Sequence, residues 1–147
     1  MEGAVDQATF LARTDIPIAV IGARGTGKMY IAKVVHQEGR GDGVLVPVDC
    51  REFRNRDEAI TRIRRELERA EGNTLVFKSP HLMNPDAQNK LARQLSTRTL
   101  ADVTPARYLP RARFVALFPD SVEHLLEHGG LTRRLASVFA GYPINVP

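Results

Sequence analysis

Apolar residues along the chain fall into short continuous runs, separated by stretches in which they recur every three or four positions. Ile16-Pro17-Ile18-Ala19-Val20-Ile21 is apolar throughout and predicts a strand buried on both faces, as in a parallel sheet. Val44 to Val48, Asn73 to Phe77, Arg113 to Phe118 and Pro143 to Val146 read as four further strands. Pro47 has no N–H for a ladder, so the second strand is expected at a sheet edge. Between the runs the spacing is helical. Ala4, Val5, Ala8, Phe10, Leu11 and Ala12 predict an opening helix that ends near Thr14. Tyr30, Ile31, Val34 and Val35 predict a second, broken by Gly39, Gly41 and Gly43. Asn55 and Glu58, three apart, resemble a capping box ahead of Ile60, Ile63, Leu67 and Ala70. Asn84-Pro85 is an N-cap and first-turn pair opening a helix that carries Ala87, Leu91 and Leu95. Val122, Leu125 and Leu126, then Leu131, Leu135 and Phe139, make two short helices around Gly129-Gly130. Strands alternating with helices predict right-handed βαβ units and an α/β fold with a five-stranded, mainly parallel sheet. One domain is expected over 1–147, with an N-terminal helix at 1–13 and the core at 16–147.

Composition narrows the class. At 147 residues, 43% hydrophobic and 26% charged, the chain is ordinary for a globular protein, which excludes disordered, collagen-like and coiled-coil readings. The single cysteine, Cys50, cannot form an internal disulfide or a Cys-rich zinc site, which points to a cytoplasmic protein with Cys50 as a small buried residue. No apolar run approaches the roughly 18–20 residues of a membrane helix, so no membrane partner is expected. The formal net charge of +4 invites a nucleic-acid reading. However, the basic residues are scattered, and Arg51 to Glu71 interleaves seven Arg with six acids, the pattern of a solvated helix laced with ion pairs. Direct nucleic-acid binding by this segment is therefore not expected. His124 and His128 stand four apart without a third ligand in the pattern, so no metal site is expected there.

One motif carries chemistry. Gly22-Ala23-Arg24-Gly25-Thr26-Gly27-Lys28 matches G-x-x-x-x-G-K and lies between a buried strand and a helix, where its mechanism needs it. The glycines let backbone N–H groups turn inward around a phosphate chain, the helix start favours anions, and Lys28 can reach the β- and γ-phosphates of ATP or the β-phosphate of ADP. The next position of a complete P-loop is Ser or Thr, whose hydroxyl binds Mg²⁺; here it is Met29, which has no hard oxygen and is expected to pack on the sheet. The third strand ends Leu75-Val76-Phe77-Lys78-Ser79 without the acid that holds the metal and activates water. Lys78 is expected to join the anion site instead.

At these residues the chain resembles the AAA+ (sigma-54 interaction) domain of NtrC-class bacterial enhancer-binding proteins, often fused to response-regulator receivers. Ile21 to Lys28 is similar to the family's T-G-E-S-G-T-G-K, Pro47 to Cys50 to its F-V-x-v-N-C, and Glu68 to Leu75 to its E-x-A-x-G-G-T-L. Val34-Val35-His36 resembles A-x-x-I-H, and Ala87 to Leu91 the helix with Q-x-x-L-L. Leu131 to Pro147 lies without gaps on F-R-x-D-L-Y-Y-R-L…P-I-x-I-P. The resemblance implies a three-layer P-loop NTPase core, ATP or ADP as ligand, and partners that include receiver and DNA-binding domains of the same regulator and further copies of the chain. Three family features are replaced. Lys78 and Ser79 stand for the Walker B Asp and Glu, Thr132 and Val138 for the two arginines that reach a neighbouring subunit's nucleotide, and Phe118 or Pro119 for the sensor residue. Between Cys50 and Gly72 there is no room for the G-A-F-T-G-A loop that contacts the sigma factor, and the chain stops where the helical lid begins. The expected function is thus a degenerate AAA+ domain that binds nucleotide phosphates weakly, with neither hydrolysis nor polymerase remodelling. The alternatives are an ATPase whose acid comes from elsewhere, such as Asp49, and an assembly module with an empty P-loop.

Overall fold

The computed structural model describes residues 1–39, 42–100, 105 and 107–147. Gly41, one of the expected helix breakers, lies outside them. The chain runs α1 (Glu2–Leu11), β1 (Ile18–Ile21), α2 (Lys28–Glu38), β2 (Leu45–Asp49), α3 (Arg56–Glu68), β3 (Thr74–Lys78), α4 (Pro85–Thr97), β4 (Thr99–Leu100), β5 (Arg107–Tyr108), β6 (Arg113–Phe118), α5 (Val122–His128), α6 (Arg133–Phe139) and β7 (Ile144–Asn145). Five strands form one sheet in the order β2-β3-β6-β1-β7, and every pairing in it is parallel. The pair β4–β5, two residues each and antiparallel, had no periodic signal to announce it. Pro47 sits mid-strand in β2, which is an edge strand as the missing N–H requires, and the opposite edge is the two-residue β7.

Side chains alternate between the sheet faces and feed two cores. Phe77, Phe114, Ala116 and Phe118 pack with the apolar stripes of α3, α4 and α6 on one side. Val20, Val76, Val115 and Leu117 pack with α1 and α2 on the other. The alternating pattern's parallel five-stranded sheet is present, and helices on both faces make the three-layer α/β/α sandwich that the family resemblance implied.

The caps explain where the helices start. Asn55 Oδ1 accepts from Glu58 N at 2.9 Å, and Glu58 reaches back to accept from Arg54 N at 3.1 Å. Asn84 Oδ1 accepts from Asp86 N at 2.8 Å, with Pro85 in the first turn. The opening helix stops at Leu11, short of the expected Arg13. Its last carbonyls are claimed from outside: the Thr14 hydroxyl donates to Leu11 O at 2.7 Å, and Arg113 Nη2 donates to Ala12 O and Thr14 O at 2.6 and 2.7 Å. Cys50 is buried as expected, and burial pushes its thiol pKa up to about 12, so it is an inert packing residue.

Candidate functional site: a strand-to-helix phosphate loop

The loop leaves the C-terminal end of β1, in the middle of the sheet, and enters α2. Gly22 N donates to Phe118 O at 3.1 Å, which pins the loop's start to the end of β6. A Cβ on Gly22 would lie 2.5 Å from Thr26 Oγ1 and 3.1 Å from Val146 O, so only glycine fits beneath the turn. Thr26 closes the turn on Ala23 O with its N–H at 3.3 Å and its hydroxyl at 2.7 Å. Gly25 and Gly27 have φ of 82° and 97°, the left-handed conformation that wraps backbone amides around an anion. Gly27 is also the N-cap of α2, so the free N–H groups of the first helical turn adjoin the loop.

Lys28 is half-buried, and its ammonium is tied back to the loop. Nζ donates to Gly22 O at 2.6 Å and to Ala23 O at 3.0 Å. Partial burial lowers its pKa from the ordinary lysine value. The cation is thus held across the loop by two carbonyls of the segment it serves, and its third N–H is left for a ligand. Arg24 is exposed on the loop, and Met29 packs against the α1–α2 core as expected. The Met1 methyl lies 3.1 Å from where a Gly27 Cβ would stand, so the start of α1 borders the loop, a neighbour no local pattern indicated.

Lys78 ends β3, with β6 lying between that strand and β1. Its register partner across the ladder is Asp49, so a carboxylate faces the lysine from the side away from the loop. Asp49 itself is fully engaged. Arg51 donates Nε to Oδ1 at 2.9 Å and Nη2 to Oδ2 at 2.8 Å, and its N–H donates to Oδ1 at 3.1 Å. These Arg51 bonds, with a smaller contribution from the charge of Lys78, hold the Asp49 carboxyl down at about 2. The pair's stabilisation is therefore present above the ordinary aspartate pKa and is lost as pH falls towards about 2. An NMR titration of the Asp49 carboxyl carbon is expected to give that midpoint, and Arg51→Ala to return it to the ordinary aspartate range. A midpoint unmoved by Arg51→Ala would refute the assignment.

The residues present do not fit a bound magnesium ion. Met29 offers no hydroxyl, Lys78 brings a cation to the acid position, and Asp49 is committed to Arg51. Among the described residues there is no group of three or more His, Cys, Asp or Glu side chains able to hold a metal. His124 and His128 lie with tilted rings 5.2 Å apart on α5, with Asp120 3.7 Å from His124 Nε2 and Glu127 3.6 Å from His128 Nε2. Phe118, one of the two residues expected at the sensor position, is fully buried and meets Phe139 edge-on at 6.3 Å. Thr132 caps α6 by accepting from Leu135 N at 3.3 Å, and Val138, half-buried, packs against the core.

Gln88 is a polar residue in the middle of an apolar helix face, and local spacing gave no sign of its role. It is fully buried, and its Nε2 donates to His81 O, Met83 O and Gly130 O at 3.1, 3.0 and 2.9 Å, a set of carbonyls too many for two hydrogens and so partly shared. Its Oε1 accepts from Thr132 N at 2.9 Å. It thereby ties the turn after β3 to the start of α6.

Comparison with known proteins bears on the whole arrangement. A family model described as the Sigma-54 interaction domain matches residues 1–144. The DNA-binding transcriptional activator HyfR of Escherichia coli (strain K12) is 26% identical over 163 residues, covering 100% of this chain and 24% of HyfR. NtrX from Brucella abortus in complex with ATP superposes with a TM-score of 0.83 at 22% identity, over 100% of this chain and 36% of NtrX. The P-loop NTPase domain of the sigma-54 transport activator from E. coli gives 0.74 at 24% identity, over 98% of this chain and 93% of that domain. The chain thus spans about a quarter of HyfR and about a third of NtrX.

Proposed function

The chain belongs to the sigma-54 interaction domain family, and from that premise we propose that it is a nucleotide-binding AAA+ module of a larger transcriptional regulator that holds phosphates without metal and does not hydrolyse them. The observation that carries this reading is a retained phosphate loop, with left-handed Gly25 and Gly27 leading into Lys28, together with the end of β3, two strands from β1, that bears Lys78 and no acid. The backbone amides of the loop, Lys28 and the start of α2 would hold the phosphates of ATP or ADP. Lys78 adds positive charge on the side where its relatives carry acids, so it favours the anion by a route that needs no magnesium. Bound nucleotide would supply occupancy, a signal relayed to neighbouring domains or further copies of the chain, rather than chemistry.

Several features support the loss of the motor. The connection from β2 to α3 is a single turn over Cys50–Glu52, and α3 then runs unbroken from Arg56 to Glu68, with no insertion to reach a sigma factor. Asp49, the alternative acid, spends both oxygens on Arg51 and lies on the edge strand, two strands from β6 and three from β1. Without a metal or a general base, several orders of magnitude in rate are lost.

Calorimetry with ADP tests the reading on the intact chain. The affinity in excess EDTA is expected to agree with that in magnesium to within about twofold, since no oxygen ligand awaits the ion. Phosphate release from ATP is expected to be no faster than for Lys28→Ala. At least tenfold tighter binding with magnesium would refute the metal-free reading, and phosphate release that Lys28→Ala abolishes would make the chain a working ATPase. No binding of ADP under either condition would leave it an assembly module.

A further inference from the structure

A groove of about 420 Å³ lies where the second half of α4 meets the beginning of α6, bordered by Thr99 of β4, and it contains no residue of the phosphate loop. Its charged lining is of one sign: Lys90, Arg93 and Arg134, with no aspartate or glutamate. Arg93 and Arg134 are exposed and take part in no ion pair among the described residues. Four other arginines of this surface are paired, unlike these two. Arg51, Arg56, Arg62 and Arg107 each lie within 4 Å of a carboxylate, at 2.8, 3.0, 3.2 and 3.7 Å.

The polar groups between the two arginines sharpen the chemistry. The Thr97 hydroxyl donates to Arg93 O at 2.7 Å, so the 2.8 Å contact between Thr97 and Thr99 must be a bond donated by Thr99. Both hydroxyls are therefore spent on the groove's own wall, and they fix the end of α4 that carries Arg93. The Asn89 amide is not spent. Its Oδ1 is buried with no hydrogen-bond partner among the described residues, and the N–H₂ at the other end of the amide is the donor this groove-lining residue can offer. Two guanidinium forks and an amide donor in one small groove match the several acceptor oxygens of a phosphoryl group better than a single carboxylate.

We infer that this groove is a second anion site, which takes the phosphate group of a small molecule or free phosphate and is independent of the phosphate loop. Arg93 and Arg134 bind the oxyanion directly, and Asn89 supplies the third donor. The site does not depend on whether the loop itself binds nucleotide.

The test is an NMR titration of the intact chain, observing the arginine side-chain N–H signals, with inorganic phosphate and with AMP at constant ionic strength. The Arg93 and Arg134 signals are expected to shift saturably. Equal affinity for the two probes means that the phosphate alone is recognised, and at least fivefold tighter AMP binding means that an organic group is read as well. In the Lys28→Ala background the affinity is expected to stay within about twofold, whereas Arg93→Gln and Arg134→Gln each weaken it by about 10-fold, as loss of one charge-assisted pair predicts. Both positions are exposed, so these variants keep the fold. The inference fails if neither arginine signal moves, if the Gln variants bind as tightly as the original chain, or if Lys28→Ala removes the response.

Discussion

Gln88→Leu is expected to lower the unfolding free energy by about 3–5 kcal/mol, the largest single loss foreseen outside the apolar core. The fully buried amide serves three carbonyls and one N–H, from the turn after β3, the Gly129-Gly130 turn and the first residue of α6's cap. Leucine has nearly the same volume, so no cavity opens. The cost comes from backbone groups stripped of a partner, each worth about 1–3 kcal/mol where water cannot replace it. Urea unfolding measures it directly, as a lower midpoint at unchanged slope. Gln88→Glu provides the contrast: at neutral pH a carboxylate would face three carbonyl oxygens, and protonation in mild acid would restore part of the loss. A Gln88→Leu loss below about 1 kcal/mol would mean that water fills the role and the clamp is incidental.

Lys28→Ala is expected to weaken ADP binding by about 10- to 100-fold while leaving the melting temperature almost unchanged. The two effects separate because the ammonium's present bonds are to loop carbonyls, one of them on exposed Ala23, which water can satisfy. A phosphate chain has no such substitute for a cation in a partly desolvated loop. Lys28→Arg keeps the charge but not the compact head that reaches both Gly22 O and Ala23 O, and it is expected to recover only part of the affinity. Calorimetry gives the affinity and thermal unfolding the stability. Unchanged ADP affinity in Lys28→Ala would remove the loop from the binding site altogether.

How much of this was legible in the chain follows from the range of each interaction. The five strands are contiguous apolar runs and the caps are pairs two or three residues apart, so both could be read directly. The phosphate loop is seven consecutive residues whose conformation glycine dictates, and it too was plain. The clamp around Gln88 was not, because Gly130 and Thr132 lie 42 and 44 residues away and a lone polar residue on an apolar stripe carries no address. Arg113 is similar: it ends the opening helix early by reaching carbonyls 99 and 101 residues back. Nothing in the sequence shows that Asp49 is taken by Arg51, a contact only two residues apart but decided by the one-turn bend after β2.

The two rims of the sheet bear on how this protein behaves when crowded. An open strand edge is a template on which another chain can extend the ladder, and long, flat edges lead to fibrils. Here one rim is interrupted at its midpoint by a residue that cannot donate, Pro47, and the other is only two residues long at Ile144–Asn145. Growth by strand addition is blocked on both sides. Pro47→Val would restore the missing donor and leave the protein prone to self-association at concentrations where it otherwise stays clear.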